Sequence, residues 1–348
     1  MKLGIVGLPQ SGKNTIFAAL SGARGEEAVQ RKSRMDQRIG TVRVADDRVD
    51  FLAALLTPKK TTYARVEYLL PSETTGGKPS RSDSALWNQI RPCDALIHVL
   101  RNFSSPGGLG ATPEADFRAL EEEMILSDLL VVEKRLERME LDTKRGNKPE
   151  PEELSLINAC RELLEKGLPI RLDPELSSAP ALRGFTFLSG RPQLIIINNE
   201  DEDESFPAWE KQPENTDIIA VRGRLEMDIA GMDPEEAGEF FTEYHIEESA
   251  LDRVIERSYH LMNLISFFTV LNEEVRAWTI RSGSPALEAA GAVHTDMKKG
   301  FIRAEVLAFQ HLREYGSFQE AKKAGHVRLE GKEYTVKDGD VINFRFNV

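Results

Sequence analysis

Apolar positions along the chain fall into three rhythms. Through most of its length, short runs that are apolar almost throughout alternate with mixed segments: Lys2–Val6, Gly40–Val44, Ala64–Leu70, Ala95–Leu100, Leu194–Ile197 and Asp217–Val221. Such runs predict strands covered on both faces, and stretches of helical character such as Asn14–Leu20 and Asp47–Leu56 stand between them. The fold class this predicts is α/β with a mostly parallel sheet. Within the alternation, Pro113–Lys166 changes period: Ile125, Leu129, Val132, Leu136 and Met139 recur at spacings of 4, 3, 4 and 3, and Leu154, Ile157, Cys160 and Leu164 repeat the rhythm. The polar break TKRGNKPEPEE lies between the two series, and its Gly and Pro residues predict reversal, hence an inserted antiparallel helical hairpin. A self-packing hairpin and a docking arm both fit this pattern.

Beyond about Asn263 the runs shorten and Gly and Asp punctuate them. Strands are predicted at Phe267–Leu271, Val275–Thr279, Phe301–Val306, Tyr334–Val336 and Val341–Phe346, with a turn at Lys337–Asp340, which together make a small α+β domain. No internal repeat or low-complexity segment is visible.

Composition narrows the functional classes. With 348 residues, 41% hydrophobic and 29% charged, the chain has the makeup of a globular protein of two or three domains. A net charge of -12 argues against capture of nucleic acid by the surface as a whole and leaves room for a local basic patch. The cysteines, Cys93 and Cys160, number only two, so neither a disulfide framework nor a cysteine metal site is expected. The first strand starts at Lys2, leaving no room for a cleavable signal, and no run of roughly 18 apolar residues occurs. A cytoplasmic protein without membrane contact is expected.

The clearest chemistry is GLPQSGKN, Gly7 to Asn14, between the first strand and the first helix. A turn there aims successive backbone N–H groups at one centre, and the helix adds its positive end. Pro9, Gln10, Ser11, Gly12, Lys13, Asn14 and Thr15 are the candidate phosphate-binding residues, with Lys13 as the cation for the outer phosphates. Asn14 departs from the phosphate-loop pattern: a hydroxyl that would donate an oxygen to magnesium is replaced by an amide. Thr15, one position on, is turned roughly 100° away. A glycine-rich turn that binds nothing is the competing reading.

GIVGLPQSGKNTIFAAL resembles the opening of the Obg-like ATPase family, whose bacterial members are called YchF. The C-terminal text LDRVIERSYHLMNLISFFTV, EVRAWTI, GAVHTDMKKGFIRAEVLAF and EAKKAGHVRLEGKEYTVKDGDVINFRFNV resembles that family's last domain more closely still. IGTVRVADDRVDFLAALLTPKK matches more weakly, so that the resemblance spans the chain. It implies a P-loop (G-domain-like) nucleotide-binding domain over 1–103 and 185–262, a hairpin over 104–184, and a TGS-like β-grasp α+β domain over 263–348. It also implies binding and slow hydrolysis of ATP or GTP, and association with the ribosome or RNA, for which the hairpin and the C-terminal domain are the candidate surfaces.

Position by position the resemblance has gaps. Where the family carries Asp-x-Ala-Gly for magnesium and the terminal phosphate, this chain has Leu70, Pro71, Ser72 and Glu73, and the first-switch Thr is replaced by Arg34. With Asn14 these changes remove three contributors to metal handling, so weak or absent hydrolysis is expected, no catalytic or metal-ligating residue is assigned, and the place of Mg2+ is in question. Arg34 or Arg38 supplying positive charge is the alternative that retains slow turnover. The family's base-reading Asn-x-x-Glu aligns with Asn198, Asn199, Glu200 and Asp201, with Glu200 able to serve after a one-residue slip. Arg222 and Gly223 occupy the last base loop, where Arg222 either stacks on the base or blocks it. His294 and Asp296 suggest acid–base chemistry only superficially. Lys298, Lys299, Arg303, Lys322 and Lys323 make the last domain locally basic, as RNA contact or as solvated surface. Trp87, Trp209 and Trp278 are too scattered for a stacking platform. The sequence reading is a nucleotide-binding protein, with an active ATPase or GTPase of unusual metal handling and a nucleotide-free interaction scaffold as the rivals.

Overall fold

A computed structural model describes residues 1–22, 37–72, 83–104, 110–210, 212–214, 216–243, 249–271 and 273–347. Twelve strands are defined among the described residues: β1 (Lys2–Val6), β2 (Arg38–Arg43), β3 (Lys60–Thr62), β4 (Arg65–Leu70), β5 (Ala95–Asn102), β6 (Gln193–Asn199), β7 (Asp217–Val221), β8 (Leu264–Leu271), β9 (Glu274–Arg281), β10 (Phe301–Ala308), β11 (Arg328–Glu330) and β12 (Asp340–Phe346). They form two six-stranded sheets, ordered β2-β4-β1-β5-β6-β7 and β11-β10-β12-β8-β9-β3. The chain divides into two compact units, Met1–Val42 with Glu67–Arg257, and Arg43–Val66 with Ser258–Val348.

In the first unit β1 runs parallel to β4 and β5, and β5, β6 and β7 continue the parallel run. The sequence shows why. Every residue of β6 is buried, and Ile195, Ile196 and Ile197 are wholly excluded from solvent. Each such side chain stabilises the fold by about 1.5–3 kcal/mol relative to exposure, which an edge or one-sided strand would forgo.

The inserted hairpin comprises helices Pro113–Lys144 and Pro151–Glu165. Its two apolar series meet as expected: Ile125 and Val132 share one core cluster with Ile157, Cys160 and Leu164, with Leu129 and Leu136 packed against it. Arg135 binds both carboxylate oxygens of Glu153 at 2.8 and 2.9 Å and ties the helices together. At its base the long helix packs Leu120 and Met124 against Leu96 of β5 and Ile90. Two buried ion pairs fix it there. Glu121 receives both arms of Arg171 at 2.7 and 2.9 Å, and Asp128 accepts from Arg91 at 3.0 Å and from the Ser189 N–H at 2.7 Å.

His98, at the centre of β5, is completely buried, its ring centroid lies 5.4 Å from that of Phe117, and neither ring nitrogen has a hydrogen-bond partner. Burial, helped by the positive charge of Arg171, pushes its pKa from the ordinary 6.5 down to about 3. The folded state therefore takes up this proton later than the unfolded chain does. The stabilisation is complete above pH 6.5 and is lost as pH falls toward 3, at about 1.4 kcal/mol per pH unit. Between pH 6.5 and 4.5 the wild type is expected to lose about 2–3 kcal/mol that a His98→Leu variant retains. Parallel urea titrations of the two proteins check this, and identical pH dependence would refute it.

In the second unit β8 and β9 form an antiparallel hairpin, β12 pairs parallel with β8, and helix Ala286–Val293 lays Ala286, Ala289 and Ala290 on Phe267, Val306 and Ile342. Tyr334–Val336 is not a strand, contrary to the sequence reading. Thr335 makes a single bridge to Pro285, while the Tyr334 carbonyl accepts from the Ala286 N–H at 2.7 Å and the Val336 N–H donates to Ser284 at 3.1 Å. These groups close the start of the helix instead of extending a ladder. Two short edge strands, β3 (KTT) and β11 (RLE), escaped the sequence reading because edge strands are polar and brief by selection against open pairing.

Residues 43–66, placed by the sequence with the nucleotide-binding part, belong to the second unit. Here β3 runs parallel to β9 from Lys60 opposite Glu274, the Phe51 ring meets Phe309 edge-on at 5.6 Å, and Arg48 pairs with Asp338 at 2.6 Å. The amphipathic helix Asp47–Leu56 was legible. Its destination was set by partners far along the chain.

Candidate nucleotide site

β1 ends at Val6 and helix Lys13–Gly22 begins six residues after Gly7. Two glycines in the turn are obligatory. A Cβ on Gly7 would stand 2.5 Å from the Val99 carbonyl oxygen, and one on Gly12 would stand 2.0 Å from Asn198 Nδ2, at a φ of +87°. Gln10 also takes a left-handed conformation, φ 65°, which the loop imposes on a residue with a side chain. The Ser11 N–H closes onto the Leu8 carbonyl at 3.2 Å, and the Ile16 N–H reaches Gly12 at 3.0 Å to start the helix. Phosphate-loop geometry follows: the N–H groups of the first turn, which a helix cannot satisfy internally, point out of its N-terminus. Lys13 is nearly buried and extends Nζ along the loop to the Leu8 carbonyl at 3.4 Å.

Asn14 is exposed, and its side-chain oxygen is engaged by a neighbouring cation. Its Oδ1 accepts a hydrogen bond from Arg38 Nη2, and the Arg38 guanidinium lies 5.1 Å from the centre of the Phe17 ring. On the neighbouring strand, Leu70 is 1% exposed and Pro71 is buried, while the Ser72 N–H and hydroxyl both go to Gln89 Oε1 at 3.0 and 3.2 Å. Leu70 and Pro71 offer no side-chain oxygen. Among the described residues no group of three or more His, Cys, Asp or Glu side chains is placed to hold a metal. Among the described residues, Asn14, Leu70 and Pro71 therefore present neither a hydroxyl nor a carboxylate to a magnesium ion at these positions. Arg34 and Glu73 lie outside the described residues.

On the base side one side chain does most of the joining. Asn198, 4% exposed at the end of β6, donates from Nδ2 to the Ser11 carbonyl at 3.0 Å and accepts at Oδ1 from the Gly223 N–H at 3.0 Å. A Cβ on Gly223 would come within 2.5 Å of that Oδ1, so the residue type there is set by the approach. The other candidates organise the following loop. Asn199 accepts from Asn102 at 2.9 Å and donates to the carbonyls of Asp203 and Ser205, and Glu200 accepts from the Ser104 N–H at 2.9 Å. Asp201 Oδ1 accepts from the Leu225 N–H at 3.2 Å. Arg222 turns to Glu204 at 3.0 Å.

A cavity of about 860 Å³ opens here, lined by Gly12, Thr15, Asn198, Asn199, Glu200 and Asp201. Phe103, Arg224 and Met227 line it too. Arg224 belongs to the last base loop read from the sequence, whereas Phe103 and Met227 were not singled out, although Phe103 directly follows β5, at the carboxyl end of a parallel sheet where ligands of such folds collect. Elsewhere the candidates settle into structural roles. His294 caps helix Thr295–Lys299, accepting from the Asp296 N–H at 3.2 Å. Lys322 pairs with Glu305 at 2.8 Å and Lys323 with Glu320 at 2.7 Å, which neutralises part of the basic patch.

A glycine loop joining the first strand of a parallel sheet to its helix, with an asparagine from a neighbouring strand end pinned to that loop, defines a protein of the P-loop NTPase class. Over its whole length the chain is 38% identical across 362 residues to the ribosome-binding ATPase YchF of Escherichia coli O157:H7, covering 100% of this chain and 99% of that protein. It is 36% identical across 361 residues to the protein of that name in Bacillus subtilis, covering 99% of each. The structure of the Schizosaccharomyces pombe YchF GTPase superposes with a TM-score of 0.85 at 27% identity, covering 99% of this chain and 97% of that one. The YchF-GTPase_C family model, described as a protein of unknown function (DUF933), matches residues 264–347. The chain belongs to the YchF family.

Proposed function

We propose that this protein binds ATP or GTP in the cavity beside the glycine loop, hydrolyses it weakly or not at all, and acts in association with the ribosome. The observation that carries the reading is Asn198, which holds the glycine loop and the Gly223 turn to one another across a cavity large enough for a nucleotide. The backbone from Pro9 to Thr15 and the Lys13 ammonium would meet the phosphates. Asn198 to Asp201 and the Arg222–Gly223 turn would surround the base, with acceptors at Glu200 and Asp201 for its amino group. Low turnover is inferred from Asn14, Leu70 and Arg34 standing where metal ligands would be. The names of the bacterial relatives as ribosome-binding ATPases, and of the yeast relative as a GTPase, support the nucleotide and ribosomal parts.

Lys13→Ala is expected to weaken ATP and GTP binding by about 10- to 100-fold, the loss of one charge-assisted contact. Calorimetry of both proteins measures it, alongside co-sedimentation with ribosomes. Wild-type affinity in the variant would overturn the reading.

A further inference from the structure

We propose that the guanidinium of Arg38 takes the place of the divalent cation beside the glycine loop, so that this protein binds the nucleotide polyphosphate without magnesium. This rests on the nucleotide reading above. Asn14 follows the loop lysine, at the position from which a hydroxyl would hold a metal, and its amide oxygen is its one acceptor group. Arg38 donates to that oxygen. A guanidinium stays charged at every accessible pH and repels a dication brought next to it, so the two compete for one position. Phe17, 1% exposed, supplies the face over which the guanidinium lies, and the bond to Asn14 fixes its edge. A cation held in two directions is preorganised, and its planar fork suits phosphate oxygens better than a lysine would. Across from it, Leu70 and Pro71 supply no carboxylate to compensate a metal's charge.

The test is calorimetry of ATP and of GTP with the full chain, once in excess EDTA and once in magnesium. Wild-type affinity is expected to differ by less than about 3-fold between the two, well below the tenfold that one strong contact carries. Arg38→Ala is expected to lose about 10-fold or more in EDTA, and Arg38→Lys to recover part of that loss. Asn14→Ala, which removes that one bond and keeps the charge of Arg38, is expected to fall between, and circular dichroism establishes that each variant is folded. Unchanged EDTA affinity in Arg38→Ala, or wild-type binding tightened more than about 3-fold by magnesium, overturns the proposal while leaving nucleotide binding intact if Lys13→Ala still weakens it about 10-fold or more. Absence of wild-type binding to either nucleotide under both conditions overturns the nucleotide reading and this one with it.

Discussion

Asn198→Ala is expected to lower nucleotide affinity by about 10- to 100-fold and folding stability by about 2–4 kcal/mol. The side chain is 4% exposed and its two bonds go to main-chain groups of separate loops, the Ser11 carbonyl and the Gly223 N–H. Removing the amide leaves both groups unsatisfied in a place water reaches poorly, at about 1–3 kcal/mol each. It also frees the glycine loop from the Gly223 turn, so that binding must bring them together again. Asn198→Asp is the sharper variant. It keeps an acceptor for Gly223, loses the donor, and sets a buried carboxylate against the Ser11 carbonyl, so it is expected to be worse than Ala although isosteric. Calorimetry and urea unfolding measure the two effects, and Ala behaving as wild type in both would show that the loops hold their places unaided.

The second large effect lies at the root of the hairpin. Glu121→Ala would leave the Arg171 guanidinium, 8% exposed, without its bidentate partner, and a buried charge stripped of its counter-ion costs about 3–5 kcal/mol. Replacing both residues, Glu121→Leu with Arg171→Met, is expected to cost far less, because the desolvation of both ions vanishes along with their attraction. Urea unfolding separates the cases, with hydrogen exchange over Pro113–Lys144 reporting whether the helix base loosens. Equal loss in the single and double variants would assign the effect to packing, not charge.

What could be read in advance followed physical range. The parallel core was legible because Leu194–Ile197 in β6 and Ile218–Val221 in β7 are unbroken apolar runs, a local signal that depends on nothing distant. The hairpin was legible because the spacing of Ile125, Leu129, Val132, Leu136 and Met139 fixes a helix face without reference to any partner. The glycine loop was legible because the spacing of Gly7, Gly12 and Lys13 after an apolar run is a local pattern, although the contacts that demand Gly7 and Gly12 come from Val99 and Asn198. The illegible parts were those decided by contact. Asn198 and Asn199 look alike in the sequence, yet one is pinned between the glycine loop and Gly223 and the other is spent on its own loop. Asn14 signalled a departure, but the bond to Arg38, 24 positions along the chain, had no local signature. Residues 43–66 carried a helix pattern that said nothing about which unit would receive it.

That last feature bears on how the chain is made. The sheet ordered β11-β10-β12-β8-β9-β3 takes its edge strand from residues 60–62, and its neighbour β9 emerges only at Glu274. During synthesis from the N-terminus, helix Asp47–Leu56 and β3 are finished long before any surface exists to receive them, and loop closure over so long an interval is slow. Until they dock, β9 presents an open hydrogen-bonding edge, the kind of surface that pairs with other chains. A fragment starting near Ser258 would keep that edge exposed permanently, so the cooperative folding unit is defined by residues from opposite ends of the sequence.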